Sequence, residues 1–122
     1  MGDSRERVLV VVSADPETSH RANEAVRIAL GILAGDNPVT IALLGPGAKV
    51  LDPAAEDYVD GEDTLKHVAT LTRLGQVFHV ERAAIPADGG ARAWNAGGAP
   101  VAPISTEELA RLVAESDRVL VF

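Results

Sequence analysis

The 122 residues carry a net charge of −7, include no cysteine, and are 47% apolar but only 3% aromatic. That describes one domain with a core of Val, Leu, Ile and Ala, and it excludes disulfides, thiolate nucleophiles and cysteine-bound zinc. No Lys/Arg cluster interrupts the acidic balance, so no nucleic-acid partner is expected.

Val8–Val12 is an unbroken apolar run, mostly β-branched, as found in strands buried on both faces. It is too short for a signal core or a membrane span, so a cytoplasmic protein with no membrane partner is expected. Ser13–His20 is a loop broken by Pro16, with Thr18 or Ser19 as N-cap of the next element. Ala22, Ala25, Val26, Ala29, Leu30 and Leu33 then recur on one helical face, which Ile28 and Ile32 widen. Gly35 and Asn37-Pro38 end that helix.

Val39–Leu44 predicts a second buried strand, stopped by Gly45-Pro46-Gly47. In Ala48–Asp60, Val50-Leu51 suggests a helical turn, while Asp52-Pro53 and Tyr58–Gly61 read as surface loop. Glu62–Leu74 is a second helix, with Leu65, Val68, Ala69 and Thr72 on its apolar face and Leu71 and Leu74 beside it. Asp60, Glu62 and Asp63 complement the dipole at its N-terminus, a better account of them than a metal site.

Gln76–Val80 predicts the third strand, followed by a loop of small residues, Glu81–Ala99, around Trp94. A loop of that length in a compact domain is often functional. Pro100–Ile104 is a fourth strand, confined to a sheet edge by its prolines. Ser105 and Glu108 form a capping box, with Ile104 and Leu109 as a hydrophobic staple. Leu109, Leu112 and Val113 give that helix its buried face, and Asp117–Phe122 supplies a fifth strand. Strands alternating with helices predict a single α/β domain over residues 1–122, a mostly parallel five-stranded sheet with right-handed crossovers and helices on both faces.

In such sheets ligands bind beyond the carboxyl ends of the strands, which directs attention to the end of the third. Glu81 there is either a general base or ligand contact, or a carboxylate paired with Arg82 or Arg92 or simply solvated. His79 shares its strand face, two residues away. The pair would need His20 or His67 to begin a metal site, and nothing in the spacing specifies one; no metal and no cofactor is expected. His79 reads better as a partly buried, hydrogen-bonded side chain under a helix. Ser13, Asp15, Ser19 and His20 precede a helix N-terminus, but Asp15 and Glu17 would repel a phosphate and the loop lacks glycines. Trp94, beside Asn95, either caps a pocket, anchors a subunit contact or plugs the core beneath its loop.

Three stretches together resemble the DsrE/DsrF/TusD-like (DsrEFH-like) family of sulfur-relay proteins. These are Val8–Leu33 with its Asp-Pro-Glu loop, Val39–Leu51 with Leu43-Leu44-Gly45-Pro46-Gly47, and Glu108–Phe122. The resemblance implies a three-layer α/β/α fold, the first strand central, the last beside it, and Pro100–Ile104 at an edge. It also implies a homo-oligomer, or a hetero-oligomer with a related subunit. Sulfur-carrying members hold a cysteine just after the third strand, where alignment on Gly75 and Gly89 puts Glu81. A carboxylate cannot form a persulfide. The expectation is therefore a non-catalytic binding or accessory subunit, with His20, His79, Glu81, Arg82 and Trp94 as candidate ligand contacts and Glu81 as the candidate catalytic residue. The alternative is a small-ligand-binding protein or enzyme that uses Glu81 with His20 or His79. A purely structural homo-oligomer is the third possibility.

Overall fold

A computed structural model describes residues 5–86 and 94–122. Five parallel strands, β1 (Val8–Val12), β2 (Val39–Leu43), β3 (Phe78–Glu81), β4 (Val101–Ile104) and β5 (Arg118–Val121), form one sheet in the order β4-β3-β2-β1-β5. Among the described residues three α-helices cross over it: α1 (Arg21–Ala34), α2 (Gly61–Arg73) and α3 (Thr106–Glu115). β1 lies inside the sheet between β2 and β5, and β4 with its Pro103 is an edge strand.

The two faces are covered unequally. Val8, Val10, Val12, Ile41, Leu43, Phe78 and Val80 point into a core closed by α1 and α2. The alternate residues Leu9, Val11 and Ala42, with Ile104, meet Leu109 and Leu112 of α3, with Leu44 and Val119 beside them, and among the described residues α3 is the one helix on this face. Every residue of β1 is buried, which is why its sequence is an apolar run and not an alternation.

Between β2 and α2 the chain forms two 3-10 helices, Gly45–Leu51 and Pro53–Asp57. The first sinks Ala48, Val50 and Leu51 into the core. Its approach needs Gly47, where a Cβ would sit 2.0 Å from the Val12 carbonyl oxygen at the end of β1. The second occupies part of the expected surface loop, and Asp52 Oδ1 caps it by accepting from Ala54 N at 2.9 Å.

Three expectations are corrected. His20, not Thr18 or Ser19, is the N-cap of α1, and it makes no side-chain capping bond. β3 begins two residues later than expected and includes Glu81. The face of α2 is rotated: Gly61, Thr64, Val68 and Leu71 are its buried residues, whereas Ala69 is exposed and Leu74 is 55% exposed. The reason is Thr64. Its hydroxyl lies 3.1 Å from both Asn23 Oδ1 and the Asp60 carbonyl, so a polar residue fills the α1–α2 seam with its hydrogen bonding satisfied.

Candidate functional site

Glu81 closes β3, and its side chain lies on the α3 face with that of His79. Its Oε1 accepts the Gly45 amide hydrogen at 2.8 Å, at the start of the first 3-10 helix, where Gly45 has φ +51. The amides at such a terminus have no partner within the helix, and the carboxylate supplies one. Leu44, Ile104, Ser105, Thr106 and Leu109 leave only about 20 Å³ beside Glu81. This volume holds no more than a water.

His79 opens into a different recess, of about 170 Å³, lined by Glu108, Arg111, Leu112 and Glu115 of α3. Burial lowers its pKa, partly opposed by Glu108. Glu108 belongs to the α3 cap: Ser105 Oγ accepts from its amide and its Oε1 accepts from Ser105 N, both at 3.1 Å. The Ser105 backbone bond and then the Ser105 hydroxyl hold its carboxyl below the usual range, with Arg82 and Arg111 adding to this. Arg82 is exposed on the short 3-10 turn Arg82–Ala84. Arg92, an expected partner of Glu81, lies outside the described residues.

The other histidines are elsewhere. His20 Nδ1 sits 2.6 Å from Asp60 Oδ2, linking the residues that precede α1 and α2. That hydrogen bond, with the Asp60 charge, raises its pKa. His67 Nδ1 is 3.2 Å from Asn23 Oδ1 in the α1–α2 seam. Neither joins His79 and Glu81, and among the described residues no group of three or more His, Cys, Asp or Glu is placed to hold a metal.

Beyond β1 and β2, Lys49 Nζ contacts Asp15 Oδ2 at 3.3 Å and Glu17 Oε2 at 3.5 Å. Tyr58 Oη donates to Asp52 Oδ2 at 3.4 Å. Burial, then the Asp52 and Glu17 charges, push its hydroxyl up to about 12. These groups satisfy one another. Trp94 is half-buried against the α1–α2 core, with its Nε1 donating to the Ala48 carbonyl at 2.9 Å, as a plug beneath a loop would be.

The structure thus brings Glu81 to Gly45, a partner that the glycine turn after β2 did not announce because the two lie 36 residues apart. It leaves His20, His79 and Trp94 in three separate surroundings.

A family model described as the DsrE/DsrF-like family matches residues 6–122. No curated protein matches. Among solved structures, the crystal structure of the YchN protein from E. coli is similar, with a TM-score of 0.76 over 96% of this chain and 99% of that one, at 16% identity. At that identity the likeness concerns the fold.

Proposed function

The chain belongs to the DsrE/DsrF-like family, and from that premise we propose that it is a non-catalytic subunit which binds a related, cysteine-bearing chain. The observation that carries this reading is the state of Glu81. With no thiol among its 122 residues, the chain has no atom on which to carry a persulfide. The residue at the end of β3 instead spends its charge on the Gly45 amide, in a recess too small for a substrate. A carboxylate engaged in this way serves as a strut.

The surface supports an assembly. Val121 pairs in register with Val11 and therefore shares the α3 side of the sheet, where it is 61% exposed; Val113 of α3, expected on that helix's buried face, is instead 44% exposed. α3 itself has no fully buried residue. Uncovered aliphatic groups on a thinly covered face suit a subunit contact.

The test is gentle purification from the native host with mass spectrometry of what co-elutes. A stoichiometric cysteine-containing relative, lost on Val121→Glu, supports the reading. Elution as a chain without a related partner overturns it.

A further inference from the structure

A cavity of about 250 Å³ lies between α2, the end of the first 3-10 helix and the turn at residues 94–99. It is on the opposite face of the sheet from Glu81. Its α2 wall includes Leu65, Ala69 and Thr72, the part of the expected apolar face that the rotation of α2 leaves outside the core. An apolar stripe is thus present, and the described residues do not cover it. Val50 and Val68, both buried, form its floor. At about 250 Å³ it is more than ten times the space beside Glu81, which sets the scale of a small organic molecule.

The far wall is preformed. Asn95, at φ +63, donates its amide hydrogen to the Leu51 carbonyl at 2.7 Å. Its side chain closes the turn, with Nδ2 donating to the Ala99 carbonyl at 2.8 Å and Oδ1 accepting from Ala99 N at 3.1 Å. A fixed wall lowers the ordering cost of binding.

The polar groups of the lining identify the ligand class. Asp52 is spent on Ala54 N and the Tyr58 hydroxyl. Asn95 is spent on Ala99. Thr72 donates to the Val68 carbonyl at 2.9 Å. Among the described side chains of the lining, Arg73 alone has donors to spare: of its five N–H groups, one bonds Thr70 Oγ1 at 3.2 Å. Among the described residues no carboxylate lies within ion-pairing distance of it. The cavity therefore offers hydrocarbon on most sides and one unspent guanidinium, while Asp52 turns an anionic head away from itself.

We propose that this cavity binds a small apolar carboxylic acid, with its hydrocarbon chain along Leu65, Val68 and Ala69 and its carboxylate on Arg73. The site is independent of Glu81 and of the subunit reading above. Because Arg73 is exposed, the charge contributes selectivity more than affinity.

The experiment titrates the isotopically labelled full chain with hexanoate and, at matched ionic strength, with hexanamide, following backbone amides and the Trp94 indole by NMR. Hexanoate is expected to shift Val68, Ala69, Thr72 and Ala99 saturably, with an apparent Kd of about 0.1–1 mM, and hexanamide to bind about five-fold more weakly. Arg73→Gln should remove that preference while leaving hexanamide binding in place. Ala69→Phe, at an exposed position, should abolish both while the rest of the spectrum is kept. The proposal is overturned by no shifts at 10-fold above that range, by equal binding of acid and amide, by shifts that persist in Ala69→Phe, or by the same resonances moving on dilution without ligand.

Discussion

Glu81 Oε1 and the Gly45 amide are joined at 2.8 Å, so the last residue of β3 holds the first residue of the 3-10 helix that follows β2. The two strands are neighbours in register, and the bond extends their connection past the point where the sheet ladder stops. It also occupies the carboxylate.

Removing that carboxylate has a graded cost. Glu81→Gln keeps an acceptor for Gly45 but loses the charge, and should destabilise by about 0.5–1 kcal/mol. Glu81→Ala leaves the amide without its partner and should cost about 1–3 kcal/mol. Urea unfolding of the three proteins checks this. Equal stability of wild type and Glu81→Ala would show that the bond is not structural.

Gly47 is a close backbone approach at this end of the sheet. A methyl group there meets the Val12 carbonyl oxygen at 2.0 Å, and backbone on both sides has to move. Gly47→Ala should cost about 3 kcal/mol or more. Gly97, whose Cβ would meet nothing within 4 Å, is the control: Gly97→Ala should leave the melting temperature within a few degrees.

His20 and His79 should titrate in opposite directions from an ordinary 6.5. The folded pKa of His20 is raised by Asp60, so its stabilising contribution is complete below about 6.5 and fades as pH rises through the raised value. His79 is lowered by burial, so the unfolded chain binds its proton more readily, and stability falls as pH drops below about 6.5. NMR titration should find one histidine above and one below that value. His20→Gln should lower the melting temperature at pH 5.5 more than at pH 8.5, and His79→Gln should flatten the acid-side decline. A common pKa for both rings would contradict the two environments.

Ser105 caps α3 in both directions with Glu108. Ser105→Ala should cost about 1 kcal/mol. Since α3 is the one helix among the described residues on the Leu9–Val11–Ala42 face and has no fully buried residue of its own, amide exchange should accelerate in α3 before it does in α1.

Much of the architecture was legible because it rests on local rules. The β-branched run at Val8–Val12, the periodic alanines of α1, the Ser105–Glu108 box and Pro100 and Pro103 at β4 each announce an element through its own chemistry. The rotation of α2 was not legible. Hydropathy ranks Leu65 and Ala69 above Thr64, yet Thr64 is the buried residue because Asn23, 41 residues away, accepts from its hydroxyl. The burial of Val50 and Leu51 was half legible, as a helical turn without its place in the core.

The candidate site divides along the same line. Composition by itself determines that no thiol chemistry is available to this polypeptide, since that depends only on which atoms exist. Strand periodicity likewise determines that His79 and Glu81 share a face, because side chains alternate along any strand. Only the tertiary structure decided that Glu81 binds Gly45 while His79 opens into a separate recess, that His20 pairs with Asp60, and that α2 leaves a cavity beside Arg73. Those relationships join residues from different crossovers, and hydrogen-bond partners across such separations follow from packing, which no local pattern encodes.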